Sequence, residues 1–285
     1  MFDLKISHAI VAALCCVFVL PLYAEDDIDR LGLPVIETRG GFTLSVIEYE
    51  ASTQHDLLDD DPAEHSVSLT GWLRAPGDKD VLCFATTLLA VSAEDDEGDE
   101  LIVPKRKRAK EEYAAVLPSA KVNDREGEPI RLAEAELDPV DLRRPGYEIE
   151  ELVVEARAVV MKETETAEMK AVVADRFIDV GHAHQVQVAS MEVDKRGLMT
   201  VKLNVRRTGG TRGPVIESLY ALNDRDAVIG GGRWTNELDL FANNYEVEMQ
   251  FPLNEDKTAA KLRVVFATEY EIETIKFTIK KLYQK

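Results

Sequence analysis

Apolar and polar residues alternate most regularly between residues 185 and 206, where the second half reads MTVKLNVR. Successive side chains of a strand point to opposite faces, so this alternation predicts a β-strand with one buried face and one wet face. Residues 194–197 (DKRG) supply turn residues that return the chain onto the strand before it. A lone hairpin is not stable in water, so this one predicts further strands that cover its apolar face.

Strand patterns continue through most of the chain after residue 40. Trp72 falls within an alternating strand and is predicted to be a core residue. Residues 81–93 are apolar without alternation, which predicts a central strand buried on both faces. Residues 105–147 hold the basic run KRKR and several prolines, and we interpret them as a long connection between sheets.

Two sequence units recur in the same order in both halves of the chain. LLAVSAEDDEGDELIV, from Leu88, is similar to SLYALNDRDAVIGG, from Ser218, and each reads as strand, acidic turn and returning strand. YEIEELVVEARAVV at Tyr147 is similar to YEIETIKFTIKKLY at Tyr270, and each closes its half. The matched order predicts an all-β chain of two tandem antiparallel β-sandwich domains, at residues 40–165 and 166–285.

The N-terminal segment has the pattern of a secretory signal peptide. Residues 9–20 are apolar and are followed by PLYA, which predicts cleavage after Ala24. This run is shorter than the ~20 apolar residues that span a bilayer, so no transmembrane segment is expected after cleavage. Cys15 and Cys16 leave lipidation as an open alternative. Residues 25–39 are interpreted as an acidic leader into the first domain.

Cysteine content and charge favour a secreted or periplasmic location in a bacterium. Only Cys83 lies outside the predicted signal peptide, and its apolar context favours a small core residue over a nucleophile. An exported chain without disulfides suits the bacterial envelope. The formal net charge of −19 opposes binding to nucleic acid.

The strand, acidic turn and strand units at residues 95–99 and 223–226, with the strands that close each half, resemble one group of known proteins. These are uncharacterised secreted bacterial proteins made of tandem Ig-like or fibronectin-III-like sandwiches. The resemblance implies a β-sandwich fold and an envelope or extracellular address. It brings no catalytic residues with it.

Acidic clusters make calcium the first candidate ligand. Hard cations such as calcium are bound by carboxylate oxygens on loops, although neither cluster has EF-hand spacing. The alternative is a pair of solvated turns in an acidic protein. The candidate ligands are Asp59, Asp60, Asp61, Asp95, Asp96 and Asp99.

Aromatic and histidine residues in the second half suggest two further sites. Trp234, Phe241 and Tyr245 lie near asparagines, as in modules that stack on and hydrogen-bond a sugar, with core packing as the alternative. His182 and His184 stand at i and i+2, where strand side chains point the same way and can share a metal. No Cys pair or HExxH helix supplies a third and fourth ligand, so we predict that both are exposed histidines at a strand end, with the shared metal as the alternative.

The chain carries no nucleophile elbow, kinase motif or zinc-protease helix, so we predict that it is not an enzyme. The expected function is that of a non-catalytic binding or structural module of the bacterial envelope, with an envelope or extracellular protein as partner. The alternative is a carbohydrate-binding accessory module that recognises polysaccharide.

Overall fold

The computed structural model describes residues 35–37, 40–54, 63–103, 112–123, 129–181, 184–207, 214–240, 242–254 and 258–280. Several predictions fall outside this part of the chain: the signal peptide, most of the acidic leader, Asp59, Asp60, Asp61, the basic run at 105–108, His182 and Phe241.

Strands make up most of the described chain, with a short 3-10 turn at Gly146–Glu148 and no α-helix among the described residues. The predicted all-β class is therefore confirmed. The strands are β1 (Val35–Glu37), β2 (Thr43–Gln54), β3 (Glu64–Arg74), β4 (Val81–Ala85), β5 (Thr87–Glu94), β6 (Tyr113–Ala115), β7 (Leu117–Asn123), β8 (Pro129–Leu142), β9 (Glu151–Lys170), β10 (Ile178–Gly181), β11 (His184–Val193), β12 (Leu198–Arg207), β13 (Val215–Leu222), β14 (Val228–Gly232), β15 (Asn244–Pro252) and β16 (Lys261–Lys280).

The described strands form two sheets. A 12-stranded sheet follows the path β1-β2-β3-β8-β5-β9-β16-β13-β14, with β4, β6 and β7 paired off this path. A 4-stranded sheet has the order β10-β11-β12-β15. The layers β1-β2-β3-β8 and β10-β11-β12-β15 are assembled alike. Each begins with an edge strand, β1 or β10, and continues with a hairpin, β2-β3 or β11-β12. Each ends with the strand, β8 or β15, that comes just before the long strand β9 or β16 in the sequence. Each layer covers its own hydrophobic core.

The long strands β9 and β16 belong to both cores. They are 20 residues each and pair antiparallel along their whole length. Residues 262, 264 and 266 of β16 pack in the second core, whereas residues 275, 277 and 279 pack in the first. Irregularities between residues 267 and 270 change which side chains face inward. The predicted domain boundary at 165/166 therefore falls inside a strand that the two cores share.

Strand β4 lies between the two cores. Val81 and Phe84 pack in the first core, and Leu82 and Cys83 pack in the second. An irregularity in the pairing with β9 between Val81 and Cys83 lets the adjacent Leu82 and Cys83 face the same core. With a core on each side of the strand, every position has to be apolar, which explains the unbroken apolar run. The predicted double burial is confirmed for residues 81–85 and wrong for 87–93, because the chain breaks at Thr86 and β5 is only half-buried.

The acidic turns of the two halves share their geometry. Oδ1 of Asp95 accepts hydrogen bonds from the backbone N–H groups two and four residues ahead, and Oδ1 of Asn223 does the same. The residue three positions ahead has a left-handed backbone in both turns, Gly98 at φ 84° and Asp226 at φ 63°. Asp194 begins a third turn of this kind. These are three-residue hairpin loops in which the side chain mimics a backbone acceptor.

The closing segments of the predicted repeat are not equivalent. Tyr147 lies in the short turn that precedes β9, whereas Tyr270 lies inside β16 opposite Met161. Sheet register gives a different match, because Glu94 pairs with the first residue of β9 and Leu222 pairs with the first residue of β16. The two YEIE sequences therefore do not occupy equivalent positions in the two halves.

Candidate functional site

A groove of about 240 Å³ opens on the outer face of the β2-β3-β8 layer, the face directed away from the first core. Strand β3 runs along its floor, and β2 and β8 form its two walls. The lining residues are Glu48, Glu50, Ser68, Leu69, Thr70, Glu136, Leu137, Asp138 and Pro139.

The alternation of β3 explains the floor of the groove. Val67 and Leu69 are buried in the first core, so Ser68 and Thr70 face outward. Thr70 pairs with Glu48 on one side and with Glu136 on the other. A row of hydroxyl groups is therefore flanked on both sides by carboxylates.

Irregular pairing in both walls shapes the groove. β2 has an extra residue between Val46 and Glu48, where it pairs with β3. β8 has one extra residue opposite β3 between Val67 and Leu69. An extra residue bends a strand and redirects the side chains around it. Both walls therefore bend beside the floor residues, which contributes to the concave surface.

The groove is strongly anionic. Four of its lining residues are acidic and none is basic. Within the described chain, these four carboxylates have no ion-pair partner, in contrast to the acids of the β9-β16 ribbon. There Glu155 pairs with Lys276 at 3.2 Å and Glu168 pairs with Arg263 at 2.8 Å. Unpaired carboxylates along a concave surface create a negative potential that attracts cations.

Trp72 lies at one end of the hydroxyl row, on the outer face. Its strand neighbours Gly71 and Leu73 are buried, whereas Trp72 is only half-buried. The prediction that it is a core residue is wrong, because the register of β3 gives the inward position to Gly71. A side chain there has no room, since a Cβ at Gly71 would stand 2.6 Å from Cδ1 of Leu44. The indole is consequently available at the surface beside Glu134, its pairing partner on β8.

Asp95, one of the predicted calcium ligands, accepts hydrogen bonds from two backbone amides and from Arg144. Its Oδ1 accepts hydrogen bonds from the backbone N–H of Glu97 and Asp99, at 3.0 and 2.8 Å. Arg144 donates to its Oδ2, and also to Asp99 at 3.1 Å. No group of three or more metal-binding side chains occurs among the described residues. At this turn Asp95 and Asp99 therefore act as acceptors that fix the loop, and Asp96 is exposed.

Asp95 should make folding sensitive to acid. The hydrogen bond from the Asp99 amide, with those from Glu97 and Gly98 and the Arg144 charge, lowers the pKa of its carboxyl below the ordinary 3.8. A lowered pKa stabilises the fold above the ordinary value, and this contribution is lost as the pH falls through the folded-state pKa. We expect Asp95→Asn to be less stable at pH 7 and to lose less stability than the wild type below about pH 4. Urea unfolding across this range tests it, with the exposed Asp96→Asn as a control expected to follow the wild type.

The two predicted sugar-binding residues that the structure describes, Trp234 and Tyr245, do not form an open platform. Trp234 has no exposed surface and packs in the second core, as the core-packing alternative predicts. Its ring has no face on which a sugar could stack. Tyr245 is half-buried, and burial raises the pKa of its hydroxyl. The prediction for Phe241 lies outside the described residues.

His184 and Cys83 are both interior residues. His184 is 1 % exposed, and its ring centroid lies 4.9 Å from that of Phe266. The predicted exposure of His184 is therefore wrong, because its strand directs it into the second core. Cys83 is fully buried and burial raises the pKa of its thiol, which confirms the predicted core role.

Carboxylates also meet where the two halves of the chain touch. Tyr113 and Leu238 exchange backbone hydrogen bonds of 2.7 and 2.9 Å, which brings Glu112 beside Glu237. Although Glu237 is an exposed residue, partial desolvation of its carboxyl raises its pKa, and the negative charge of Glu112, a hydrogen bond to it and the charges of two β8 glutamates add to this effect. At neutral pH the ionised carboxylates repel each other across this contact.

Replacing Glu237 with glutamine should stabilise the protein at neutral pH. A carboxyl whose pKa is raised in the folded state stabilises the fold while it is protonated. This stabilisation is complete below the ordinary pKa of 4.5 and is lost as the pH rises through the folded-state pKa. Glutamine keeps a hydrogen-bonding group without the charge, so Glu237→Gln is expected to melt above the wild type at pH 7 and with it near pH 4. Melting curves at both pH values test this. An equal gain at both would contradict the electrostatic cause, and the exposed Glu246→Gln is the matched control.

Sequence reasoning missed the groove itself. Its signal was present in the acidic residues at i and i+2 in EYE at 48–50 and in EAELD at 134–138, on outward positions of two strands.

Among the described residues, no helix has the length and hydrophobicity needed to cross a membrane. Comparisons of the chain with protein-family models, with curated proteins and with solved structures found no match.

Proposed function

We propose that the chain is a secreted or periplasmic, non-catalytic binding module of the bacterial cell envelope, which holds an envelope or extracellular protein in the groove of the β2-β3-β8 layer. The observation that carries this proposal is the groove itself. It is a concave, charged surface on a sheet face that no other described layer covers, and its carboxylates lack partners within the described chain. Surfaces that keep unpaired like charges lose stability, so their presence favours a binding role.

The architecture we propose is two tandem Ig-like sandwiches behind a cleaved signal peptide. Two separate cores and two layers assembled alike support this arrangement. The sandwiches would share the β9-β16 ribbon rather than meet at a flexible linker. Folds of this class commonly use loops and exposed sheet surfaces to recognise partners.

Affinity capture tests the proposal. The chain from Glu25 is used as bait with the envelope fraction of the source cell, in calcium and in chelator. We expect a defined protein to be recovered by the wild type and lost with the groove variant Glu48→Gln/Glu136→Gln. The control Glu163→Gln/Glu192→Gln removes two exposed acids elsewhere and should retain the partner.

Three results of the capture experiment would contradict the proposal. Recovery that is equal for the groove variant and the wild type would place binding elsewhere. Retention on wall polysaccharide without a protein partner would favour the carbohydrate-binding alternative. Loss of the partner in chelator alone would assign binding to calcium at the acidic clusters.

A further inference from the structure

We infer that the groove receives an extended segment of its protein partner that carries Lys or Arg at alternate positions. This inference rests on the proposed function and specifies the partner's chemistry. It follows from the sign of the charges in the groove, from their spacing and from the aromatic ring at one end.

The charges of the groove require a cationic occupant. Glu48 and Glu50 line one wall, Glu136 and Asp138 line the other, and no lining residue is basic. These carboxylates have no ion-pair partner in the described chain, so a cationic ligand displaces none of the described basic residues. Within the same described part, no group of acidic and histidine side chains is placed to hold a metal ion. The four carboxylates are spread along two strands on either side of β3, which suits several cationic side chains carried on one chain.

The spacing of the carboxylates matches an extended chain. Neighbouring strands lie about 4.8 Å apart, so walls on either side of β3 stand about 10 Å apart, which is the width of one extended peptide with its side chains. Residues two apart on a strand are separated by about 6.7 Å, and this applies to Glu48 and Glu50 on β2. Alternate side chains of an extended peptide have the same separation. The hydroxyls of Ser68 and Thr70 on the floor can hydrogen-bond to the peptide backbone between them.

Trp72 favours arginine at its end of the groove. Its ring is half-buried on the same face as Thr70, two residues further along β3. A guanidinium group stacks on an indole face and can at the same time reach a carboxylate, here that of Glu134, the pairing partner of Trp72. Lysine makes the charge contact but stacks less well.

Peptide binding by fluorescence anisotropy tests the inference. The probes are labelled eight-residue peptides of alternating Arg and Ser, alternating Lys and Ser, and alternating Glu and Ser. The Arg peptide should bind most tightly, the Lys peptide less tightly, and the Glu peptide not at all. The groove variant Glu48→Gln/Glu136→Gln should weaken the Arg peptide by about tenfold, as expected for two lost charge contacts. Trp72→Leu should reduce the preference for Arg over Lys.

The control Glu163→Gln/Glu192→Gln has the same net charge as the groove variant and should bind within twofold of the wild type. Equal weakening by both variants would assign binding to the overall charge of −19 and overturn the inference. Melting curves confirm that each variant is folded. If capture of an envelope protein depends on the groove but none of the basic peptides binds, the inference fails and the proposed function stands. If capture does not depend on the groove, the proposed function itself fails.

Discussion

Replacing Arg233 with methionine is expected to lower the free energy of unfolding by about 3 kcal/mol. The guanidinium donates to the carbonyl oxygen of Val81 at 2.9 Å, and its Nε donates to Glu217 at 3.3 Å. The Arg233 and Glu217 side chains are 13 % and 14 % exposed, so the pair is largely removed from water. Methionine preserves much of the volume but leaves the Val81 carbonyl without this donor and the largely buried Glu217 carboxylate without its cation, with only the Ser218 hydroxyl still donating to it at 2.7 Å. The cost therefore exceeds that of a surface ion pair.

Arg263→Met is the matched control for Arg233. Arg263 pairs with Glu168 at 2.8 Å, but the two side chains are 32 % and 39 % exposed. Water and salt screen such a pair, so its loss should cost less than about 1 kcal/mol. Urea unfolding of the two variants at pH 7 gives the comparison. Similar losses in the two variants would show that Arg233 does not fasten the second half of the chain to β4.

Replacing Trp234 with alanine is expected to cost about 3 to 5 kcal/mol of stability. The indole has no exposed surface and lies in the second core, where its backbone bridges to Met249. Alanine at this position removes the apolar contacts and leaves a cavity that the surrounding sheets cannot close. Thermal or urea unfolding measures the loss directly.

Trp72→Ala provides the comparison for Trp234. Its ring is half-buried on the outer face, so its removal creates no enclosed cavity and should cost less than about 1.5 kcal/mol. Unchanged stability of Trp234→Ala, combined with lost retention on polysaccharide, would contradict the core assignment. That result would restore Trp234 as a sugar-stacking residue.

Alternation was sufficient to predict the strand content because it reports a local property. The pattern MTVKLNVR gave β12 with its buried face in the right register. The apolar run VLCFA predicts a strand that is buried on both faces, but it does not show what covers each face. That reason is the position of β4 between two cores, which depends on pairing with β9, more than 65 residues further along the chain.

Long-range pairing explains what could not be predicted. The acidic turn at Asp95 has the composition of a cation loop, but the chain supplies its own cation from Arg144, 49 residues away. The sequence predicts Trp72 to be a core residue because alternation separates the two faces of a strand but does not always identify which face is buried. Predicting the groove requires the knowledge that β2 and β8 both pair with β3. No local sequence feature shows this pairing.

Site-specific photo-crosslinking in the source cell tests the central claim that this groove holds a protein partner. A photoreactive residue replaces Ser68 on the floor of the groove in one variant and the exposed Glu192 of β11 in another. We predict an adduct of defined mass with an envelope protein at position 68 and none at position 192. An adduct at position 192 without one at position 68, or no adduct at either, would contradict the account.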